Sequence, residues 1–333
     1  MGEGSVLRPS RDRILIMIFE RVERMEHQSV QFARAVPVIK AAKIPAERVP
    51  VTDRAEGADI RIMTNNVWNN DENSEEWAAM GEDCSAQARS EGFARIYAEF
   101  LPDVVNTQEM TALMLNGILA NMAWFGLWYE GISVNDPVAD FTALIYNPET
   151  VTPELCGHHV FGYGSDYQTK GYTWCLFRHR QTGNSFVSLS THFWHVRESE
   201  REGSDAWRSQ QAGEVAVASA ELAAEFGCPV FVQGDFNAHT DSGVFGVFKN
   251  AGFENCRYAA TGDCDDLRGT HRCGRTGFSA EPKPGTYADN GIDHMLVLDR
   301  GDAEILTFRH VVRDYYYRSS DHFPVYTDVR LAR

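Results

Sequence analysis

Polar side chains able to bind a metal or move a proton recur at one kind of place in this 333-residue sequence, the end of an apolar stretch. Asn66 ends IRIMTNN, Gln108 and Glu109 close DVVNTQE, His192 closes NSFVSLSTH, and Asp235 and Asn237 close PVFVQGDFN. Asp293 and His294 stand within IDHMLVL, while Ser320, Asp321 and His322 precede the final apolar stretch. Strand ends and the loops after them are where folds build sites. Carboxylates flanked by amides and imidazoles make an oxygen-rich donor set, suited to Mg²⁺ or Mn²⁺ rather than to thiolate-seeking zinc. The chemistry implied is activation of water against a phosphate ester. Each residue also has an ordinary structural reading: Asn66 as a turn residue, Glu109 as a carboxylate favoured near a helix N-terminus, His192 and His322 as buried, satisfied imidazoles. GDFN is sharper, because no turn requires both its Asp and its Asn.

Positioning such residues needs elements whose ends converge. The pattern predicts strands over 60–68, 103–108 and 141–146, and a helix that places Arg89, Phe93, Ile96, Tyr97 and Phe100 on one face. A second helix is expected over 111–122. YTWCLFRH and NSFVSLSTHFW form a hairpin through Gln181, Thr182 and Gly183. A long helix over about 207–226 ends at Gly227 and Pro229. A short helix near 243–250, an irregular stretch over 257–290 and strands near 292–298, 304–312 and 324–329 complete the chain. Hairpins mixed with βα units favour two packed sheets with helices outside over one doubly wound sheet. Residues 1–58 read as an N-terminal extension, with an amphipathic helix over 10–27 (Ile14, Leu15, Ile18, Val22 and Met25 at helical spacing) and a Pro-punctuated wrap over 37–58. Residues 59–333 read as the catalytic domain.

Composition sets the outer limits. Apolar residues make up 43% and charged ones 23%, which excludes intrinsic disorder. Ile14–Phe19 is the longest apolar run, too short to span a bilayer. The formal charge is −16, with only five lysines, so long duplex DNA is a poor partner. A small or lipid-derived phosphate ester fits better. Trp68, Phe193, Trp194, Phe236 and Tyr315 to Tyr317 adjoin the motifs and either line a pocket mouth or pack in the core. Seven cysteines without a CxxC pair read as reduced thiols, and Cys256, Cys264, His271 and Cys273 match no common zinc spacing. A cytoplasmic location is the expectation, or a secreted one if a signal peptide has been removed.

Taken in order, MTNNVW, PDVVNTQEM, LSTHFWH, VFVQGDFNA, GIDHMLV and SDHFPV resemble the motifs of the endonuclease/exonuclease/phosphatase superfamily, DNase I-like proteins. The resemblance spans residues 60–329, and the Arg208-x-x-Gln211 pattern is similar to that of a bacterial branch with a THxDH signature. It implies an α/β fold, a four-layer α/β/β/α sandwich of two mixed sheets flanked by helices. It further implies that Glu109 binds Mg²⁺, with Mn²⁺ as an alternative, and that Asn66 lies in or next to the coordination sphere and Asp321 beside the metal. Asp235 and Asn237 would orient the attacking water and the phosphoryl oxygens. His322, held by Asp293, would act on the phosphate or the water, and His192 would donate to a phosphoryl oxygen. The sequence departs from the pattern in Asn65-Asn66, in Gly291 where a basic residue usually precedes ID, and in Trp194 where the branch has Asp. The activity implied is in-line hydrolysis of a phosphate ester, with a nuclease or deadenylase-like phosphodiesterase and a non-catalytic binding module as the competing readings.

Overall fold

The computed structural model describes residues 30–33, 49–69, 83, 85–134, 142–162, 170–265, 268–272, 282–284, 286–299 and 301–332. The helix expected over 10–27 and the wrap over 37–48 lie outside them. In chain order the elements begin with β1 (Val30–Ala33), β2 (Ile60–Asn66), α1 (Ala86–Phe100), β3 (Val104–Gln108), α2 (Ala112–Trp124), β4 (Glu130–Val134) and β5 (Leu144–Tyr146). There follow β6 (Val151–Val160), β7 (Gly171–His179), β8 (Ser185–His192), α3 (Ser204–Phe226), β9 (Val230–Asp235) and α4 (Gly243–Asn250). The last third holds β10 (Glu254–Asn255), α5 (Cys256–Ala259), β11 (Arg268–Arg272), β12 (Pro282–Pro284), α6 (Tyr287–Asn290), β13 (Asp293–Leu298), β14 (Ala303–Ile305), β15 (Arg309–His310) and β16 (Val325–Leu331).

One sheet runs β1-β4-β5-β3-β2-β16-β14, with β15 also on β16; the other runs β10-β13-β9-β8-β7-β6. Both are mixed: β2 pairs parallel with β3 and β8 with β9, and their other pairings are antiparallel. Among the described residues three apolar clusters mark the layers. Met63, Phe93, Tyr97, Ile118 and Ile145 pack between the first sheet and its helices α1 and α2. Ile62, Val104, Phe177, Phe186, Phe231 and Val325 fill the space between the sheets. Trp174, Leu189, Val215, Val232 and Phe248 pack under α3 and α4. Alternation along each strand produces this division: in β7, Trp174 and Leu176 face α3 while Cys175 and Phe177 face the other sheet. The result is the two-sheet sandwich with outer helices that the pattern predicted.

Helix ends follow local chemistry. The Ser85 hydroxyl accepts from Ala88 N at 3.2 Å to start α1, and the Thr111 hydroxyl accepts from Met114 N at 3.2 Å to start α2. Gly227 ends α3 in the left-handed conformation, φ 61°, with Pro229 two residues on. The sequence pattern passed over β4 and β6. β6 is an edge strand of mixed exposure, interrupted by Pro153 and a register shift between Pro153 and Leu155, so its alternation is blurred. The single strand expected over 304–312 is two short ones, β14 and β15, both paired with β16.

Residues 49–59 are fastened to this domain. Arg61 is fully buried and bonds Asp328 through Nε at 2.6 Å and a terminal nitrogen at 2.9 Å. Its remaining donors meet the carbonyls of Thr52, Asp53 and Phe100 at 3.0, 2.8 and 2.7 Å. Arg54 reaches Asp103 at 2.7 Å.

Candidate active site

The two parallel strand pairs end side by side, and their registers place the polar termini together. Asn66 stands opposite Gln108, His192 opposite Asp235, and Asp235 opposite Asp293 across β13. Gly234 permits this: a Cβ there would lie 1.9 Å from the Thr191 carbonyl oxygen, so any side chain would push β8 and β9 apart next to His192 and Asp235. Trp68, Glu109 and Asn237 have φ of 54°, 58° and 48°. The left-handed region is costly for such residues, and all three sit where a strand of the site turns away.

Asp235 is the hub. Its Oδ2 accepts from Asn66 Nδ2 at 3.0 Å and stands 3.5 Å from His192 Nε2 and 3.7 Å from His322 Nε2, while Oδ1 accepts from Asn237 N at 2.9 Å. Asn66 also donates to Glu109 Oε1 at 3.1 Å and accepts from Trp68 N, so its amide nitrogen bridges the two carboxylates. Asn69 N donates to Glu109 Oε2 at 2.7 Å. Asn237 Nδ2 is turned back to the Phe193 carbonyl at 3.1 Å. His322 Nδ1 meets Asp293 Oδ2 at 2.8 Å. The backbone of Asp293 is held through N–H donation to the Thr270 hydroxyl, and the Ser320 hydroxyl donates to the Asn66 carbonyl while accepting from His322 N. Asp321 lies outside both ligand-competent groups described below, and its charge bears on His322.

These contacts sort the charges. Burial favours neutral His322, but the carboxylates of Asp293, Asp321 and Asp235 outweigh it and raise the imidazole well above its ordinary value. His192 goes the other way: burial, with Lys170 adding to it, holds it well below, so this ring is neutral. For Glu109 burial is outweighed by Lys170 and by the Asn69 and Asn66 donors, and its carboxyl lies below the usual value. Burial, opposed by His322 and reinforced by Asp293, brings Asp235 up to about 7.

Lys170 was not foreseen from the sequence. Buried to 6% exposure immediately before β7, its Nζ lies 2.9 Å from His192 Nε2 and 3.2 Å from Nδ1, and it is the lysine among the groups acting on Glu109, His192 and Asp235. The one signal available was the scarcity of lysines. Helical spacing puts Arg89 on one face with Phe93, Ile96, Tyr97 and Phe100 and gives it no role; it donates to the carbonyls of Val67, Trp68 and Ser319 at 2.7–2.8 Å and so joins the turn after β2 to the turn before His322.

Several of the aromatic neighbours resolve as packing. Phe193, Trp194, Phe236 and Tyr316 are buried core residues. Trp194 turns away from the site, its indole N–H donating to Ser204 Oγ at 3.1 Å and its ring against Trp207. The Arg208-x-x-Gln211 pattern explains this turn: Gln211 accepts from Trp194 N, and Arg208 donates to the Trp194 and Val196 carbonyls.

Among the described residues two groups could hold a divalent cation, Glu109–His192–Asp235 and Asp235–Asp293–His322, each with its ligand atoms within 4.8 Å of one another. Their donors are oxygens and imidazole nitrogens without a thiolate, and Asp293 Oδ1 is buried with no hydrogen-bond partner. Such a set fits a hard divalent ion. No zinc cluster forms from Cys256, Cys264 and His271 among the described residues, and Cys273 lies outside them.

Two mixed sheets with helices outside, carrying this constellation at their strand ends, define an α/β sandwich class with a candidate metal centre. The sequence profile of the Endonuclease/Exonuclease/phosphatase family matches residues 63–322, and the chain belongs to that family. Among solved structures it is similar to an endonuclease/exonuclease/phosphatase from Bacteroides vulgatus, at 19% identity and TM-score 0.65 over 82% of this chain and 98% of that one. It is also similar to a mannosyl-6-phosphatase from Bacteroides thetaiotaomicron (18%, TM-score 0.61, 81% and 99%) and to the human nocturnin catalytic domain with bound sulfate (15%, TM-score 0.58, 91% and 98%). None of the curated proteins searched matches the chain. Among the described residues no helix is long and apolar enough to cross a membrane.

Proposed function

We propose that this protein is a divalent-metal-dependent phosphoesterase that hydrolyses a small or lipid-derived phosphate ester by in-line attack of water. The observation that carries the reading is the convergence on Asp235 of Asn66 at 3.0 Å, His192 at 3.5 Å and His322 at 3.7 Å, with Glu109 bridged to it through the same Asn66 amide. Glu109 would hold Mg²⁺ or Mn²⁺, with Asn66 fixing the carboxylate beside it and Asp321 adding negative charge nearby. When bound, the ion supplies charge neutralisation at the phosphoryl group.

The chain's own groups account for the remaining chemistry. Asp235, brought to about 7, is suited to accept the proton of the attacking water near neutral pH. Asn237 fixes that carboxylate through its backbone N–H. Protonated His322, locked by Asp293, donates to a phosphoryl oxygen, where charge accumulates as the bond breaks. Lys170 adds a fixed cation, and neutral His192 orients it. Phosphoryl transfer asks mainly for positioning and charge neutralisation, which this set provides without a covalent intermediate.

The net charge of −16 argues for a compact ester over a long polyanion. The test is hydrolysis of bis-p-nitrophenyl phosphate beside p-nitrophenyl phosphate with and without Mn²⁺ or Mg²⁺. Metal-dependent turnover of either ester supports the reading, and its absence together with no calorimetric metal binding overturns it. Glu109→Ala is expected to weaken Mn²⁺ binding by at least about 10-fold, because it removes an anionic ligand from the site. Lys170→Met keeps the side-chain length and removes the charge. It should lower kcat/KM by about 10- to 100-fold, the range for one charge-assisted hydrogen bond, with partial recovery in Lys170→Arg.

A further inference from the structure

Cys156 and Cys175 stand directly opposite each other on the antiparallel strands β6 and β7. Their Sγ atoms are 2.7 Å apart. Carbon atoms in contact rest about 3.5–4.0 Å apart and sulfur is larger, so this separation is well inside ordinary contact. Directly opposed residues of an antiparallel pair have Cα atoms about 4.5–5.5 Å apart, within the span a disulfide bridges. Of the five described cysteines, Cys175 is fully buried between the sheets, while Cys156 is half-buried on the edge strand.

We infer that Cys156 and Cys175 form a cross-strand disulfide when the protein meets a small-molecule disulfide oxidant, and that this bond staples the edge strand β6 to the sheet. Burial holds the Cys175 thiol well above its ordinary value, and the contact with Cys156 adds to this, so the accessible Cys156 meets the oxidant first. Its thiolate attacks one sulfur of the oxidant and expels the other half as a thiolate. Cys175, losing its proton, then attacks the Cys156 sulfur and expels the second half. Two protein thiols and one small disulfide thereby become one protein disulfide and two small thiols. The reading of all cysteines as reduced thiols therefore holds for these two only under reducing conditions.

The distance along the chain suits a stabilising role. The two positions are 19 apart along the chain, and closing a loop of this size restricts the unfolded chain enough to raise Tm by on the order of 5 °C in a protein this large. The test equilibrates the full reduced chain with oxidised glutathione, denatures it, alkylates it and measures its mass. The expected product lacks two hydrogen atoms, carries no alkyl group at Cys156 or Cys175, and yields one peptide pair joined through them. Its Tm should fall on adding reductant, and Cys156→Ser, a change at the half-buried member of the pair, should abolish that fall. Alkylation of both thiols, or glutathione retained on Cys156, would overturn the inference, as would a Tm indifferent to reductant.

Discussion

Asp235→Asn is expected to lower kcat by about 10³-fold, within the 10²- to 10⁴-fold range typical of a lost general base, without destabilising the metal-free protein at pH 8. The two halves of this expectation have one origin. Asp235 is buried between Asp293 and His322, and its carboxyl is brought from an ordinary 3.8 to about 7. An acid raised on folding binds its proton more tightly in the native state. The native state is therefore penalised relative to the unfolded chain once the pH exceeds about 4, and the penalty grows until about pH 7 and then stays constant. A neutral amide of the same shape removes that penalty. Its carbonyl can still accept from Asn237 N, and the loss is the bond from Asn66. Thermal melts at pH 5 and pH 8 check the sign: the variant should gain on the wild type as the pH rises. Steady-state turnover of p-nitrophenyl esters checks the activity, and a rate within tenfold of wild type would remove Asp235 from the proton transfer proposed for it.

The strand ends of the site were readable because each breaks a local rule. An apolar stretch that stops on Asp and Asn, as at Asp235 and Asn237, or that admits Asp and His inside it, as at Asp293 and His294, has no packing reason to do so. Two packed sheets with helices outside followed from the same strands, since hairpins are mixed with βα units, while the four-layer form was what the family resemblance implied. Polar residues whose purpose is set by distant parts of the chain are not legible in this way. Lys170 meets His192 across β7 and β8 and sits in no motif. Arg89 is one more position on a helix face until the carbonyls of residues 67, 68 and 319 come to it. Trp194 shows the opposite case. The sequence leaves it open between a pocket mouth and the core, because whether a side chain after a strand points into the site or under a helix depends on what anchors the turn, here Arg208 and Gln211.

The polar seam behind the site shows the same dependence on tertiary context. Asn106 donates to Gln233 at 2.5 Å and accepts from Ser188, while Gln108 donates to Ser190, whose hydroxyl donates to the Thr107 carbonyl. These residues are buried between the two sheets and join β3 to β8 and β9 near the ends that carry Glu109, His192 and Asp235. Hydrogen bonds of this kind specify register, because a slip of one residue would bury them unpaired. The sheet-to-sheet alignment on which the site depends is therefore set by polar contacts as well as by the apolar core.

Asp328→Ala is expected to cost about 3–5 kcal/mol of stability, the range for breaking a buried ion pair from one side. Arg61 has no exposed surface, and Asp328 takes two of its donors while also accepting from Ala55 N at 2.8 Å. Removing the carboxylate leaves a buried guanidinium with the carbonyls of Thr52, Asp53 and Phe100 and the face of the Tyr326 ring but no anion to pair with, and frees the segment that Ala55 anchors. Solvation regained by Arg61 would require β2 and β16, which pair at Arg61 and Asp328, to separate. Asp328→Asn retains an acceptor and should lose less. Substituting the pair together by apolar residues of similar volume should recover most of the loss, because the penalty comes from the unpaired charge more than from the absent attraction. Urea unfolding provides the measurement: a lower midpoint with an unchanged slope reports lost native stability. A shift below about 1 kcal/mol would place the pair with exposed ion pairs, which contribute that little. Asp328 lies on β16 away from Asp235, so the folded variant should keep its metal affinity, separating a stability role from one in the site.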